Sequence, residues 1–413
     1  MLKSLTGLRF LAALSIVWAH LTIPLHFQLL GGNVDLATTS ILGMTLFFVL
    51  SGFVIHYNYA SLFSEHAFLS ATRQFGVARI ARIYPLFLAV LLFFVIHDGL
   101  YGNVWKTSDH TSLLALSFLS NTFSWFPIWV KGQLLIQHPF GIAWSISTEW
   151  FFYVAYIFFA RKLAYCTTKM AIKLFVAVVI VAYSFQYLGL LHPQMAERVL
   201  LNSPPGSTDW LNSFYRWFFY VSPYSRIFEF LLGAAAAQIV MSRDLLRWPS
   251  KQVIAAFIYV CVTLIALMFV AYLYVFQLNP AWSSPDASVW VRFFGHLHMN
   301  FGFAPLFAAL IMLLAVRDLR GDSEGKWMAC SQMIFLGEIS YSLYLIHPIS
   351  IRLVPISMDM PQLWFRLFCG IFLTIALAIG TYTLIEKPGR KWIRNLLDYK
   401  RFGNTPVIEA GKS

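Results

Sequence analysis

The stretch LTGLRFLAALSIVWAHLTIPL, residues 5–25, is mainly apolar and contains one arginine and one histidine. A helix that crosses the hydrocarbon core of a bilayer needs about 20 mostly apolar residues, and this stretch has that length. It resembles a secretory signal peptide in its position, but it lacks a small-x-small cleavage site and it contains Arg9 and His20. We therefore predict that it is retained as a membrane-spanning helix.

The rest of the chain has the same apolar character. Hydrophobic residues make up 59% of the 413 residues and charged residues only 12%, whereas a soluble domain usually has about 25% charged residues. This composition excludes a soluble protein and predicts an all-α polytopic integral membrane protein. The ten expected spans are residues 5–25, 40–60, 83–99, 142–160, 171–189, 225–241, 253–276, 301–316, 333–351 and 364–386.

A further apolar stretch, residues 111–139, is interrupted by Asn121, Pro127, Gly132 and Pro139. We predict that it is a re-entrant segment that does not cross the membrane. Cytoplasmic loops of membrane proteins are enriched in Lys and Arg. With the N-terminus inside and this segment not crossing, 22 of the 30 Lys and Arg residues fall on the cytoplasmic side. Both termini are therefore expected in the cytoplasm.

The net charge of +12 and the four cysteines restrict the kinds of site that the chain can contain. The basic residues stand mainly in short loops between apolar runs, which indicates membrane topology and lipid surroundings rather than nucleic-acid binding. The cysteines are scattered and form no CxxC pair. We therefore predict no metal site and no disulfide framework.

Ionisable residues within the spans need an explanation, because a charged side chain at the centre of a membrane helix costs about 2.5–3.5 kcal/mol. Arg9 and His20 are eleven residues apart, so they lie within about 20° of one helix face and about 16 Å apart along the axis. Arg9 is expected near the inner end and His20 in the outer half. His20 is either an interior histidine satisfied by a hydrogen bond or a functional group, and the shared stripe favours the second.

Two arginines precede the third span in the segment RQFGVARIARIYP, residues 73–85. Arg79 and Arg82 share one helix face, and Pro85 is expected to begin the span, so the pair should lie in a loop at the cytoplasmic surface. One interpretation is a solvated topology signal. The other is a clamp for a polyanionic ligand, since two guanidinium groups one turn apart suit phosphate groups.

The segment WSISTEWFFY, residues 144–153, places Ser145 and Glu149 on the same face at the outer start of a span. A carboxylate can orient a histidine ring and stabilise its charged form in general-base catalysis. We therefore expect Glu149, or another acceptor, to orient His20. The alternative is a carboxylate that is hydrogen-bonded to another helix.

The segment GEISYSLYLIHP, residues 337–348, has three functional candidates on one helix face. These are Ser340, Tyr344 and His347. His347 falls near the outer end of its span, at a depth similar to that of His20. Gly337 would allow close helix packing, and the tyrosines of the segment fit a packed core equally well.

Glu386 and Lys387 end the last span at the inner surface, where we expect a topology signal and an ion pair. The inner face thus collects Arg9, Arg79, Arg82 and Lys387. The outer half collects His20, Glu149 and His347. This distribution predicts an anionic ligand on the inside and proton chemistry further out.

Six motifs occur in order along the chain. They are Arg9 with His20, FFVLSGFVI at 47–55, Arg79-x-x-Arg82 before Tyr84-Pro85, Trp144-Ser145 with Glu149, Ser340-Tyr341-x-x-Tyr344-Leu345-x-His347, and Glu386-Lys387-Pro388. Together they resemble the membrane-bound acyltransferase-3 family, from residue 5 to about residue 390. That family includes O-acetyltransferases of bacterial O-antigens, exopolysaccharides and peptidoglycan, and acyltransferases of some antibiotics.

The resemblance implies an acyl-CoA donor, usually acetyl-CoA, and a carbohydrate hydroxyl as the acceptor, in an O-antigen, an exopolysaccharide or a lipid-linked glycan. It also implies ten spans, cytoplasmic termini and a place in the bacterial inner membrane. His20 matches the family's essential histidine and Arg9 its upstream partner. Arg79 and Arg82 match the arginine pair assigned to the coenzyme A phosphates.

On this basis residues 1–390 form the acyltransferase domain and residues 391–413 a basic cytoplasmic tail. The candidate catalytic residues are Arg9, His20, Ser145, Glu149, Tyr344 and His347. The candidate donor-binding residues are Arg9, Arg79, Arg82 and Lys387.

Two mechanisms and two other functions stay open. His20 either removes the proton of the attacking glycan hydroxyl or accepts the acyl group and passes it outward. A proton-coupled transporter or exporter of a small anion or glycan is the main alternative, because buried His, Glu and Arg also build proton relays. A lipid-linked-sugar glycosyltransferase would need an acidic pair in the first outer loop, 26–39, which offers only Asp35.

Overall fold

Helices make up almost all of the structure. A computed structural model describes residues 2–23, 26–29, 32–35, 38–101, 123–126, 129–130, 133–134, 141–191, 216–242, 250–274, 287–298, 300–322, 327–354 and 362–397. The helices are α1 (Lys3–Thr22), α2 (Thr39–Glu65), α3 (Phe68–Tyr101), α4 (Ala143–Ala164), α5 (Thr168–Leu191), α6 (Pro223–Met241), α7 (Lys251–Tyr272), α8 (Val289–His298), α9 (Ala304–Leu319), α10 (Ser331–Glu338), α11 (Ser340–Leu353), α12 (Leu363–Thr381) and α13 (Lys387–Leu396).

Shorter elements connect these helices. Single 3₁₀ turns are Phe123–Trp125, Phe301–Phe303 and Trp327–Ala329, and wider π-type turns are Trp217–Val221 and Tyr382–Glu386. Two antiparallel hairpins pair β1 (His26–Leu29) with β2 (Gly32–Asp35) and β3 (Trp129–Val130) with β4 (Gln133–Leu134). The hairpins lie in connections between helices, so the architecture remains that of a helical bundle.

Within these ranges, seven helical segments are long and apolar enough to cross a membrane, and eight if the bent pair α10 and α11 forms one span. All ten predicted spans coincide with helices. The other two helices, α4 and α6, have charged side chains along them, including Glu149 in α4 and Arg226 and Glu229 in α6. The prediction of an all-α polytopic membrane protein is confirmed, whereas the number ten and the cytoplasmic termini stay predictions.

Peripheral helices are much less buried within the protein than interior helices, as expected for a bundle that is surrounded by lipid. Only 17% of the apolar windows of α7 and of the segment Leu363–Leu396 is buried, against 67% of that of α2. Large apolar side chains such as Phe257 in α7 and Phe368 in α12 are exposed. A helix that is apolar on all sides is stable in this position only if lipid covers its outer face.

The third helix corrects one prediction. Pro85 lies inside α3 and does not begin it, because α3 starts at Phe68. The residues that extend α3 towards the N-terminus are Ala71, Phe75, Ala78 and Ala81, and all of them are at least 99% buried. Their spacing of three or four residues gives this polar segment one apolar face that packs on the core. Arg79 and Arg82 therefore belong to a helix and not to a loop.

Two further predictions fall largely outside the described residues. Of the re-entrant segment 111–139, only residues 123–126, 129–130 and 133–134 are described, so its path stays a prediction. Of the tail 391–413, residues 398–413 are not described. The predicted domain boundary at residue 390 falls inside α13.

Glycines allow the central helices to pack with their backbones in contact. A Cβ atom on Gly52 of α2 would overlap the carbonyl oxygen of Phe230 in α6, and one on Gly233 of α6 would overlap that of Val49 in α2. Small residues at helix crossings in membranes serve this purpose. The same applies to Gly337 of α10, where a Cβ would overlap the carbonyl oxygen of Thr6. The prediction that Gly337 allows close packing is confirmed.

We expect Gly233→Ala to destabilise the bundle by about 1–3 kcal/mol, the usual cost of overpacking. The new methyl group would meet the backbone of α2, which cannot move aside as a flexible side chain can. The measurement is the Tm of the purified protein in detergent. Gly380→Ala in α12 is the matched control, since a Cβ there meets nothing within 4 Å. Equal Tm values for the two variants would contradict the close crossing.

Candidate functional site

One cavity of about 1090 Å³ lies among α2, α3, α4, α11 and the helical segment that ends in α13. Its basic lining residues are Arg9, Arg79, Arg82, Lys387, Arg390, Lys391 and Arg394. Its acidic lining residues are Glu149 and Glu338. The excess of positive charge makes the cavity suitable for an anion, and all four predicted donor-binding residues lie in it.

Arg79 is held by aromatic side chains. Its Nη2 donates a hydrogen bond of 2.5 Å to the hydroxyl of Tyr59. Its guanidinium carbon lies 4.9 Å from the ring centroid of Tyr59, 5.6 Å from that of Tyr153 and 5.7 Å from that of Phe75. The negative faces of aromatic rings stabilise a cation that has lost water, so this cage fixes both the position and the charge of Arg79.

Arg82 forms an ion pair with Glu386 across the bundle. The carboxylate is fully buried, whereas 12% of the Arg82 side chain is exposed. Ser342 donates a second hydrogen bond, of 2.6 Å, to the other carboxylate oxygen. We predicted an ion-pair feature at Glu386 and Lys387 on the surface. The structure places Glu386 in the interior with Arg82 instead, because the buried guanidinium requires an anion.

Arg9 lines the same cavity from α1. It lies close enough to Glu149, Glu386 and Arg82 for their charges to interact. The predicted grouping of Arg9 with the two arginines of α3 is therefore present in the structure. Arg9 adds a third guanidinium to the lining of the cavity.

The predicted contact between Glu149 and His20 is absent from the described part of the chain. Glu149 accepts a hydrogen bond of 3.1 Å from Ser51 and another from the hydroxyl of Tyr153. It lines the cationic cavity, so its charge balances the arginines. Helix phase places Ser145 and Glu149 on one face, but the hydrogen-bond partners of Glu149 are Ser51 and Tyr153.

Ser145 and Tyr344 form the end of the cavity that lies nearest to the histidines. Their hydroxyl oxygens are 2.5 Å apart, and the Tyr344 hydroxyl donates to the carbonyl oxygen of Ile142 at 3.1 Å. Both side chains are buried. The ring centroid of Tyr344 is 5.7 Å from that of His347.

His20 and His347 lie side by side, with ring centroids 4.8 Å apart. The Nδ1 of His20 is 2.8 Å from the carbonyl oxygen of Ile16, and the Nδ1 of His347 is 2.5 Å from that of Tyr344. A carbonyl only accepts hydrogen bonds, so each Nδ1 must carry a hydrogen and each neutral ring must present an unprotonated Nε2. The Nε2 of His347 is buried without a hydrogen-bond partner among the described residues.

Sequence reasoning missed two features of the interior. Arg226 and Glu229 of α6 form a fully buried ion pair of 2.7 Å, and the Nε of Arg226 donates to the carbonyl oxygen of Tyr220 at 2.8 Å. An Arg-x-x-Glu spacing inside an apolar run was the available signal. The second missed feature is the basic stripe of Arg390, Lys391 and Arg394, which was interpreted only as a topology signal.

These helices form a multi-pass membrane protein in which a cationic cavity lies next to two neighbouring histidine rings. A family model described as an acyltransferase domain matches residues 2–383. The chain therefore belongs to the acyltransferase-3 family, and it is an acyltransferase.

The chain is similar to Acyltransferase MdmB of Streptomyces mycarofaciens. The two sequences are 26% identical over 415 residues, which cover 94% of this chain and 91% of that protein. No solved structure matches the chain.

Glu386→Gln should lower the stability of the protein by about 3 kcal/mol, because it leaves the largely buried Arg82 without its anion. Thermal unfolding in detergent measures the loss. Glu338→Gln is the control, since Glu338 lines the same cavity from an exposed position. The double variant Arg82→Gln/Glu386→Gln should recover part of the loss, and strictly additive losses in this cycle would argue against a stabilising pair.

Proposed function

We propose that the protein transfers an acyl group, most simply acetyl, from acyl-CoA to a hydroxyl group of a carbohydrate. The observation that supports this proposal is a continuous series of contacts. The cationic cavity ends at Ser145 and Tyr344, Tyr344 contacts His347, and His347 contacts His20. A polyanionic donor in the cavity would have its reactive end directed towards two bases.

In this proposal the donor binds through its phosphate groups to Arg9, Arg79, Arg82 and Lys387. Arginine suits this task because its five N–H donors form a rigid fork that fits phosphate oxygens. The hydrogen bonds to Tyr59 and the ion pair with Glu386 hold the two arginines of α3 in place. The cavity is then organised before the donor arrives, which lowers the entropy cost of binding.

The chemical step follows from the tautomers of the two histidines. In direct transfer, the Nε2 of His20 takes the proton of the acceptor hydroxyl while the oxygen of that hydroxyl attacks the thioester carbonyl. The carbon–sulfur bond breaks, and the thiolate takes the proton from His20. In the relay, the Nε2 of His20 attacks the carbonyl, and the thiolate leaves. The hydroxyl then attacks the acyl-histidine and gives its proton to His347, which passes it to the thiolate.

The role proposed for Glu149 changes accordingly. It keeps Arg9 charged and positioned, together with Ser51 and Tyr153, and it does not orient the ring of His20. The carbonyl oxygens of Ile16 and Tyr344 orient the two rings instead. Ser145 and Tyr344 are proposed to guide the thioester towards the histidines.

The acceptor is proposed as a carbohydrate of the bacterial cell envelope or an exported glycan, and the protein as an inner-membrane enzyme. This part rests on the motifs shared with O-acetyltransferases of such glycans, which run from Arg9 to Pro388. The name of the similar protein from Streptomyces mycarofaciens adds only that it is an acyltransferase. Proton-coupled transport in addition to acyl transfer is the second candidate, because Arg226 and Glu229 place two charges inside an apolar helix.

The first test is coenzyme A release from acetyl-CoA by the purified protein with a glycan acceptor. His20→Gln should reduce the rate by at least about 10²-fold, the usual contribution of a general base. His97→Gln is the control, because His97 does not line the cavity and contacts Arg352. No coenzyme A release would contradict the proposed donor, and transport of the glycan would support the second candidate.

His347→Gln should lower kcat by about 10²-fold and leave the KM for acetyl-CoA unchanged, since His347 contacts His20 and does not line the cavity. Incubation with labelled acetyl-CoA without acceptor then separates the two mechanisms. In the relay, the wild type and His347→Gln become labelled and His20→Gln does not. In direct transfer, none of the three becomes labelled. An unchanged kcat in His347→Gln would exclude a role for this ring.

A further inference from the structure

The C-terminal helix α13 lines the donor cavity although it lies beyond the matched residues 2–383. Its cavity-lining cations are Lys387, Arg390, Lys391 and Arg394. They occupy positions i, i+3, i+4 and i+7, which form one stripe of a helix. Lys387 was already a predicted donor-binding residue, so the stripe adds three further positive charges to the cavity, from Arg390, Lys391 and Arg394.

The length of the last helical segment places α13 at the mouth of the cavity. Leu363–Leu396 has 34 residues and spans about 51 Å at 1.5 Å per residue, whereas the hydrocarbon core is about 30 Å thick. The final turns must therefore project beyond the core. Trp392 and Leu396, away from the basic stripe, are each 64% exposed. A tryptophan in this position suits the interface between membrane and water.

A close backbone contact holds α13 against α3. A Cβ atom on Gly389 would lie 2.6 Å from the Cβ of Pro85, so only glycine permits this approach. The contact places Arg390 where its charge interacts with those of Arg79 and Arg82. The Nε of Arg390 is buried and has no hydrogen-bond partner within the described ranges.

The deeper arginines already have partners in the protein. Arg82 is paired with Glu386, and Arg79 is bonded to Tyr59. Among the residues that the structure describes, seven basic and two acidic ones line the cavity. Like charges at this density repel one another, and a ligand with several phosphate groups would relieve that repulsion.

We propose that α13 is a phosphate-binding element, which contacts the phosphates of the donor nucleotide through Arg390 and Arg394. The proposal rests on the proposed acyl-CoA donor, whose nucleotide end would remain at the cavity mouth while the thioester reaches Tyr344. Anionic lipid headgroups offer the same phosphate chemistry. The experiment therefore separates the nucleotide from the lipid.

The test compares Arg390→Gln/Arg394→Gln with Arg161→Gln/Lys162→Gln, an exposed basic pair in the last turn of α4 that does not line the cavity. Both variants and the wild type are reconstituted in nanodiscs of neutral lipid. The α13 variant should raise the KM for acetyl-CoA about tenfold, equivalent to about 1.4 kcal/mol. With acetyl-pantetheine, which lacks the nucleotide, its kcat/KM should match that of the wild type. The α4 variant should change neither value.

Binding of adenosine 3′,5′-bisphosphate, measured by calorimetry, separates failure of this inference from failure of the proposed function. Weaker binding in the α13 variant supports the phosphate-binding element even if the protein releases no coenzyme A. Equal binding in wild type and variant overturns it, even if acetyl-CoA is the donor. A KM effect that appears only in nanodiscs with anionic lipid overturns it in favour of headgroup binding.

Gly389→Ala tests the placement of α13 while it keeps every charge. The methyl group should push α13 away from Pro85 and raise the KM for acetyl-CoA in the same direction as the loss of the two arginines. Gly380→Ala is the matched control, since a Cβ at this position meets nothing within 4 Å. Gly380 lies in the same helical segment, four residues before Leu384 at the centre of the π-type turn. An unchanged KM in Gly389→Ala would show that the contact between α13 and α3 does not position the two arginines for binding of acetyl-CoA.

Discussion

A guanidinium group that leaves water must find an anion or an aromatic face, because an unpaired buried charge costs several kcal/mol. This requirement determines how the bundle is arranged around its arginines. Arg82 is matched by Glu386, Arg79 by the rings around it, and Arg226 by Glu229. The glycine contacts bring the backbones of α2 and α6 together, so polar side chains of one helix can reach the other helix.

The same requirement places the arginines of the cavity and the two histidines in different surroundings. Acidic partners collect beside the arginines, so Glu149 serves the cationic cavity, and the histidines are left among apolar and hydroxyl side chains. Backbone carbonyls, which carry no net charge, orient both imidazole rings. The two bases thus avoid the acids that would keep them protonated. Anion recognition and proton transfer can then operate in adjoining but electrically distinct parts of one bundle.

Hydropathy predicts the helices well, because the bilayer imposes one length and one composition on every span. The grouping of Arg9 with Arg79 and Arg82 could also be predicted, and the three side chains line one cavity. Hydropathy fails where contacts between distant helices decide the outcome. Pro85 suggested a helix start, but the buried alanines before it extend α3. Glu149 was expected beside His20, and no single-helix pattern could reveal that it is hydrogen-bonded to Ser51 and lines the cavity with Arg9. The partner of Arg82 is 304 residues away in sequence.

That separation has a consequence for how the protein is made. Arg226 and Glu229 stand one turn apart, so α6 brings its own counter-charge and can enter the bilayer as an electrically neutral unit. Arg82 emerges from the ribosome long before Glu386 and must wait for the last helix before its charge is matched. Completion of the cationic cavity is therefore a late event in biogenesis, and a chain that ends before Glu386 would hold an arginine in the membrane without its anion.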